Sequence, residues 1–274
     1  LMMAFSGVLV SKFGSKKMIL LAEVLYALVL FSMGSSSTVF QLILSLVAFG
    51  MMANLMNIAT NTQACLVEKM YGRNIMSSFH GLWSLGGFSG GIIGAIFANT
   101  LLPIEAHFGT ILAMSLVIIA VGFRFLVDDA TAKAEEEDVP KFSFRTIDPI
   151  LFLLGLMGFA GMFCEGTVYD WSGVYFSSVV KPDDAFIRAG YVAGMGAMTL
   201  GRFLADGFVT KYGPARVLKV CGGLIVGGLW LAAALPYLIP ATFGFLLVGF
   251  GISSSVPICY SIAGKLGTIK ASIA

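Results

Sequence analysis

Charged side chains are scarce in this chain, since only 12% of its 274 residues are Asp, Glu, Lys or Arg. Hydrophobic residues make up 58%, and the mean hydropathy is +0.92. Both values lie far from those of soluble globular domains. Runs such as VCGGLIVGGLWLAAALPYLIP at 220–240 are apolar on every side and long enough to span a bilayer. The composition therefore excludes a soluble protein and predicts several membrane spans.

Three further absences narrow the class. The alternation of apolar and polar residues that marks a membrane barrel is missing, so the spans are expected to be helices. The four cysteines (Cys65, Cys164, Cys221 and Cys259) lie in apolar segments without metal-ligand spacing, which predicts neither a disulfide framework nor a metal site. No G-x-x-x-x-G-K-[ST] loop is present to hold ATP. We therefore expect no cofactor, no metal and no ATP hydrolysis.

Polar gaps divide the chain into nine predicted helical spans. They lie near residues 1–10, 18–34, 39–67, 75–102, 107–127, 149–179, 186–208, 217–238 and 241–263. If the spans alternate in direction, all but two of the seventeen Lys and Arg residues fall on one side of the membrane. Because basic residues disfavour translocation of short loops, this side is predicted to be cytoplasmic. The loops at 11–17, 128–148 and 209–216 belong to it.

The chain begins at Leu1 inside an apolar run, with no basic segment or cleavage site ahead of it, which favours a part of a longer protein over a signal peptide. The one long polar stretch, 128–148, carries an acidic run and is predicted to be a cytoplasmic linker without a binding role. It divides the chain into two predicted domains, at 1–127 and 149–274.

A short motif occurs twice. Lys12-Phe13-Gly14 aligns with Lys211-Tyr212-Gly213 at an offset of 199 residues, and Lys17 then aligns with Arg216. Both copies fall on the same predicted side of the membrane. This spacing predicts two helical halves related by an axis along the membrane normal, with the linker between them.

The first copy resembles the signature of the major facilitator superfamily: Gly, three residues, Asp, a basic residue, any residue, Gly, any residue and a basic pair. The matching positions are Gly7, Ser11, Lys12, Gly14, Lys16 and Lys17. The acidic position thus holds a serine. The segments NTQACLVEKMYGRNIMSSFHGLWSLGG (61–87) and CEGTVYDWSGVY (164–175) resemble more specifically the fucose-permease-like bacterial branch.

The resemblance implies an all-α polytopic membrane protein of two pseudo-symmetric six-helix bundles, incomplete in this chain. The nine spans would be helices 2 to 10 of twelve, in a bacterial inner membrane. In the family, the glycine-basic loops stabilise the outward-open state. This implies a gating group formed by Lys12, Gly14, Lys17, Arg202, Asp206, Gly213 and Arg216. It also implies a close contact between the span at 75–102 and the span at 186–208, which are both rich in glycine.

Glu165 is the strongest candidate for chemistry within a span. It lies roughly 24 Å from the predicted cytoplasmic end of its helix, at about 1.5 Å per residue. Acids at such depth usually face a wet cavity or a partner, so Glu165 is a candidate for substrate binding and proton coupling. The alternative is a protonated acid bonded to a neighbouring helix. Tyr169, one turn further along, joins the substrate-binding candidates.

Two other polar groups are candidates with an open alternative each. Asn54, Asn57 and Asn61 form a polar stripe at helical spacing, which suits a hydroxyl-rich ligand but is also typical of bonds between helices. His80 and Trp83 lie one turn apart, where the imidazole could exchange protons and the indole could stack on a sugar ring. A hydrogen-bonded structural histidine is the alternative.

These features predict a secondary active transporter, not an enzyme, that works by alternating access. Its expected partners are a small polar solute, a sugar being one candidate, the membrane lipid and protons moved by symport; no nucleic acid is expected. The alternatives are a proton-coupled exporter of amphipathic compounds, for which 14 Met and 23 Phe speak, and a transporter-like sensor without flux. An enzyme using His80 with Asp170 or Glu165 is disfavoured, because His80 and Asp170 are predicted near opposite interfaces.

Overall fold

The computed structural model describes residues 2–98, 102–128 and 148–266. Within these ranges the chain forms α-helices, short 3-10 and π segments and no strand, which confirms the predicted all-α class. The helices are α1 (Met2–Phe13), α2 (Ser15–Gly34), α3 (Val39–Tyr71), α4 (Met76–Ala98), α5 (Ile104–Gly122), α6 (Pro149–Tyr175), α7 (Ala189–Tyr212), α8 (Pro214–Ala234) and α9 (Leu238–Lys265). The linker predicted at 128–148 lies, apart from its two end residues, outside the described residues.

Six of these helices are long and apolar enough to cross a membrane: α2, α3, α5 with the 3-10 turn that follows it, α6 with the following π segment, α8 and α9. This finding supports a polytopic membrane protein. Pro257, a position where the sequence suggests a helix break, lies inside the continuous α9. It removes one backbone hydrogen bond, but residues 251–259 are all buried and the packed helix persists.

The structure corrects the loops predicted at 11–17 and 209–216. Helix α1 runs to Phe13 and α2 starts at Ser15, so only Gly14 separates them. Likewise only Gly213 separates α7 from α8. Gly14 has φ 90° and ψ 147°, and Gly213 has φ 80° and ψ 154°. L-residues almost never adopt this conformation, so each turn requires its glycine. If the basic residues served only to orient the protein in the membrane, no glycine would be required beside them.

The chain divides into two compact units. Among described residues, one unit comprises residues 2–70, 88–98, 102–128 and 264–266, and the other comprises 71–87 and 148–263. The second unit therefore includes the first part of α4. The two domains predicted on either side of the linker, at 1–127 and 149–274, correspond to the two halves of the predicted repeat, and they stay a prediction.

The core of the first unit lies where α1, α2 and α3 meet. Val10, Met18, Ala22, Leu55 and Ala59 are buried there against one another. In this unit a Cβ on Gly34 would collide with the Phe108 ring, so α2 and α5 also approach closely.

The core of the second unit is built around α9. Phe176, Met198, Phe245, Val248 and Ile252 are buried together, from the end of α6, from α7 and from α9. Because long stretches of α9 are surrounded by other helices, 67% of its most apolar window is buried.

The glycines of α7 face this core. The sequence suggested that they would contact the glycine-rich span at 75–102, and this expectation is corrected. A Cβ on Gly194 would meet Val168 at 3.0 Å and the Phe245 carbonyl oxygen at 3.3 Å, and one on Gly201 would meet Ser253. These glycines let α7 approach α6 and α9, since small residues allow helix backbones to come close. Among described atoms, a Cβ on Gly86 or Gly90 of α4 would meet nothing within 4 Å. The α4–α7 contact is made instead by Gly81, where a Cβ would meet the Phe203 ring at 2.9 Å.

Gly249 on α9 offers a direct test of this packing. A Cβ there would collide with the backbone carbonyl of Gly194, and backbone cannot move aside as a side chain can. We expect Gly249→Ala to destabilise the full-length protein by about 1–3 kcal/mol, as overpacked cores do. A lower melting temperature in detergent measures this.

Gly207→Ala is the matched control, because a Cβ at Gly207 on α7 has open space around it. That variant should melt at an equal or slightly higher temperature, since Ala is the better helix former. Equal melting temperatures for Gly249→Ala and the unmodified protein would contradict the packing described.

Candidate functional site

The most buried charged pair in the second unit joins α6 to α7. Arg202 Nη2 donates to both carboxylate oxygens of Glu165, at 3.1 and 3.2 Å. The Arg202 side chain is 3% exposed and that of Glu165 is 15% exposed. Breaking such a pair by removing one partner typically costs about 3–5 kcal/mol, because it leaves a buried charge without compensation. The structure thus brings together Glu165, predicted to couple protons, and Arg202, predicted to act in gating.

Residues of α4 surround the Arg202 guanidinium on another side. Its Nη1 donates to the Ser84 hydroxyl, and the same hydroxyl donates to the backbone carbonyl of His80 at 3.1 Å. The guanidinium carbon lies 5.9 Å from the centre of the Trp83 ring, a distance suited to a cation–π interaction. Ser84 was not singled out by sequence, although its place one residue after Trp83 on a polar face of α4 was a usable signal.

Two buried nitrogens at this cluster have no hydrogen-bond partner among the described residues. They are Arg202 Nε and His80 Nε2. The His80 ring stacks with Tyr260 of α9 at 6.0 Å between centroids. Buried polar atoms are normally satisfied, so unpaired ones need an explanation, such as a bound ligand or water.

Tyr169 lies one turn from Glu165 on α6. Its ring meets that of Tyr191 on α7 edge to face, with centroids 5.9 Å apart. Trp83 and Tyr169 are both exposed in the second unit, at 60% and 41%. We call the group of Glu165, Arg202, Ser84, Trp83, His80 and Tyr169 the ion-pair cluster. It contains four residues that the sequence predicted as substrate-binding or coupling residues.

Asp206, one turn after Arg202, performs a different task. Its carboxylate accepts hydrogen bonds from the backbone N–H of Ser77 at 3.0 Å and of Ser78 at 2.8 Å, and from the Ser78 hydroxyl at 2.5 Å. Helix α4 begins at Met76, so these are N–H groups of its first turn. A carboxylate at a helix N-terminus satisfies unpaired donors and the positive end of the helix dipole. Asp206 is therefore a cap supplied by a neighbouring helix.

The asparagine stripe lies in the first unit and is bonded along α3. Asn61 Nδ2 donates to the backbone carbonyl of Asn57 at 2.9 Å and to its side-chain oxygen at 3.2 Å. Asn54 Oδ1 is buried and has no hydrogen-bond partner in the described ranges. Asn54 therefore has an acceptor to offer, whereas the amides of Asn57 and Asn61 partly satisfy each other.

The basic residues of the predicted gating group lie at the helix ends next to the glycine turns. Lys12 is in the last turn of α1 with its Nζ 5.3 Å from the centre of the Phe13 ring. Lys17 follows in the first turn of α2, and Arg216 in the first turn of α8. Their gating role stays a prediction.

Gln63 is a buried residue of the first unit whose importance the sequence did not reveal. Its Nε2 donates to the Ser15 hydroxyl and to the Val127 carbonyl, both at 2.8 Å, and its Oε1 accepts from the Val127 N–H at 3.1 Å. One amide thus holds α3, the first residue after the Gly14 turn and the segment that follows α5. Glu68, one to two turns further along α3, is also buried and pairs with Lys265 at 2.7 Å. A polar residue in an otherwise apolar span was the signal available for both.

These observations together define a multi-pass helical membrane protein with charged and aromatic groups gathered inside its spans. The chain belongs to the Major Facilitator Superfamily, whose family model matches residues 1–271. Superfamily membership was predicted from the glycine-basic motif and is confirmed. The fucose-permease-like branch stays a prediction.

Curated relatives agree with this assignment. The chain is 32% identical over 278 residues to an uncharacterized MFS-type transporter of Yersinia pestis, and 33% identical over 235 residues to an uncharacterized transporter of Sinorhizobium fredii. It is 26% identical over 281 residues to the membrane protein MosC of Rhizobium meliloti. The matches cover 100%, 85% and 100% of the chain, which spans 70%, 61% and 66% of the three relatives.

The cap formed by Asp206 predicts a local effect of its removal. A negative charge on the acceptor strengthens hydrogen bonds from backbone N–H groups. In the full-length protein, Asp206→Asn keeps the size of the side chain but removes this charge. We expect the amides of Ser77 and Ser78 to exchange with deuterium roughly tenfold faster, since hydrogen bonds to charged groups contribute about 1.5–3 kcal/mol. Hydrogen exchange of peptides covering 76–84 measures this.

Asp184→Asn provides the control, because Asp184 is an exposed acid in a 3-10 turn. It should leave exchange at 76–84 unchanged. If Asp206→Asn also leaves these amides unchanged, the cap does not hold the helix start.

Gln63 predicts a second effect, on global stability. Gln63→Leu keeps the side-chain bulk but removes the hydrogen bonds to the Ser15 hydroxyl and to both backbone groups of Val127, and each backbone group left unsatisfied costs roughly 1–3 kcal/mol. A lower melting temperature of the full-length protein is expected. Gln41→Leu is the control on the same helix, since Gln41 is exposed and its side-chain oxygen accepts from the N–H and hydroxyl of Ser37, just before the helix start. Equal losses for the two variants would contradict a clamping role of Gln63.

Proposed function

We propose that the whole protein is a secondary active transporter that moves a small polar solute by alternating access, coupled to protons in symport. Superfamily membership supports membrane transport of a small molecule. The observation that carries the finer proposal is the buried Glu165–Arg202 pair, flanked by exposed Trp83 and Tyr169.

Protonation of Glu165 would change the balance of this pair. An ionised Glu165 neutralises Arg202 in a region of low dielectric constant, where charges interact strongly. A proton on Glu165 removes that compensation, and a buried guanidinium without a counter-ion costs several kcal/mol. Proton uptake therefore favours another arrangement of the helices α6 and α7 or another partner for Arg202. This link between protonation and conformation is what symport requires.

In the second unit, Trp83, Glu165 and Tyr169 are proposed to bind the solute. In the first unit, taken by itself, Asn54, Asn57 and Asn61 are proposed as solute-binding residues. The indole and phenol rings offer flat apolar faces with a polar tip, suited to a sugar ring. The amides offer donors and acceptors without charge. His80, next to Arg202 through Ser84, is a second candidate for proton transfer.

Gating is proposed to act through the two glycine turns and the α4 cap. Asp206 ties the start of α4 to α7, and Arg202 ties the middle of α7 to α6. Gly14 is the single residue between α1 and α2, and Gly213 is the single residue between α7 and α8. The basic residues Lys12, Lys17 and Arg216 lie next to these turns. The membrane is proposed to be a bacterial inner membrane, as the family resemblance implies. The distribution of basic residues supports placing these turns and the linker 128–148 in the cytoplasm.

Uptake by proteoliposomes of the full-length protein tests this proposal. With a panel of sugars, polyols and sugar acids, we expect at least one solute to cause alkalinisation outside the vesicles and to be taken up faster under an inward proton gradient. Glu165→Gln should abolish gradient-driven uptake while retaining exchange of solute across the membrane, since a permanently neutral side chain cannot release a proton. Asp170→Asn on the same helix is the control and should keep the coupling.

The outcomes separate the alternatives. Uptake without proton movement would overturn symport but keep transport. Outward pumping of amphipathic compounds alone would favour the exporter. No flux of any compound would favour a sensor and overturn the proposal.

A further inference from the structure

We propose that Arg202 is a carboxylate-binding residue and that the solute is an anion whose carboxylate takes the place of Glu165 on the guanidinium. This inference rests on the proposed transport function and specifies the chemical class of its substrate. It is carried by the hydrogen-bond inventory and the exposure of the ion-pair cluster.

The guanidinium has more donors than the described residues can use. Arginine offers five N–H donors and no acceptor. Nη1 donates to Ser84 and Nη2 to Glu165, whereas Nε is buried and has no partner within the described ranges. The unmet need at this position is therefore for acceptor oxygens. A carboxylate on a ligand supplies two of them in a plane that matches the guanidinium fork.

The pair is asymmetric in how firmly each member is held. Arg202 is held from α4 by Ser84 and by the face of Trp83, and its side chain is almost fully buried. Glu165 is the more exposed partner, and within the described ranges both hydrogen bonds of its carboxylate are with Nη2 of Arg202. The guanidinium is thus the fixed element, and Glu165 is the anion that can be exchanged.

Charge balance then couples the solute to a proton. With Glu165 ionised, a second carboxylate at Arg202 would leave a net negative charge in a buried site and is repelled. With a proton on a Glu165 carboxylate oxygen, the solute carboxylate restores neutrality. Arg202 Nη2 exchanges one carboxylate for the other, and the only covalent change is the O–H bond formed on Glu165. One proton enters with each solute anion.

One neighbouring carboxylate, Asp206 on α7, accepts hydrogen bonds from Ser77 and Ser78 at the start of α4. The other neighbouring titratable groups in the described part of the chain are His80 on α4, Tyr169 on α6, Tyr191 on α7 and Tyr260 on α9. Phenols and imidazoles are neutral or cationic at neutral pH. A neutral sugar could also reach the unpaired Nε with a hydroxyl, but it would neither displace Glu165 nor require a proton, so the anion accounts for more of the site.

Ligand-dependent melting of the purified full-length protein tests the inference. The probes are two matched pairs, D-gluconate with sorbitol and D-glucuronate with D-glucose. We expect at least one acid to raise the melting temperature and its neutral counterpart to do so much less. Binding of the acid should weaken as pH rises, approaching about tenfold per pH unit because one proton is taken up with it.

Three variants separate binding from folding. Glu165→Gln should bind the acid with no such pH dependence, because its side chain is already neutral. Arg202→Lys keeps the charge but loses the planar fork, and its affinity should fall about tenfold or more. The double variant Glu165→Gln with Arg202→Gln leaves no uncompensated charge, so it guards against misfolding, and it should lose the preference for the acid altogether.

The inference is overturned if the neutral counterparts bind as well as the acids, if none of the four probes shifts the melting temperature, or if Glu165→Gln retains the pH dependence. Its failure is distinguishable from failure of the transport proposal. Proton-driven uptake of a neutral sugar would overturn the anion site and keep symport. Acid binding without gradient-driven uptake would keep the anion site and overturn symport.

Discussion

A charge buried among packed helices must be compensated, and the second unit is organised by that constraint. Arg202 lies in the middle of α7 and is paired with Glu165 on α6, bonded to Ser84 on α4 and covered by Trp83. Three helices are therefore fixed around one guanidinium. The small residues of α7 complete the arrangement, because Gly194 and Gly201 bring an adjacent face of the helix against α9. Small side chains on one face and a charge on the neighbouring face set the position of α7.

The amide side chains of the first unit are also compensated, but by neutral partners. Gln63 forms hydrogen bonds with both backbone groups of Val127 and with the Ser15 hydroxyl. Asn57 and Asn61 bond to each other along the helix. Hydrogen bonds in a medium without water are directional and costly to lose, so each of these amides fixes the segments it touches.

The helices and the two glycine turns could be predicted from the sequence because their signals are local. Long apolar runs are sufficient to identify spans, and the spacing of Lys12-Phe13-Gly14 and Lys211-Tyr212-Gly213 is sufficient to show the repeat. The position of Glu165 along its helix follows from where that helix starts. Partners do not follow in the same way, since Arg202 and Glu165 are 37 residues apart and nothing local relates them. The same reason explains why the capping of α4 by Asp206 was not predicted, and why the glycines of α7 were assigned to the wrong neighbour.

Gly14 and Gly213 have a consequence for mechanics. A flexible loop between two helices absorbs displacement, but a single residue with fixed dihedral angles transmits it as rotation. Tilting of α7 should therefore rotate α8 about Gly213, and α2 is joined to α1 in the same way through Gly14. How far the distant end of the second helix moves is then set by helix length, not by loop length.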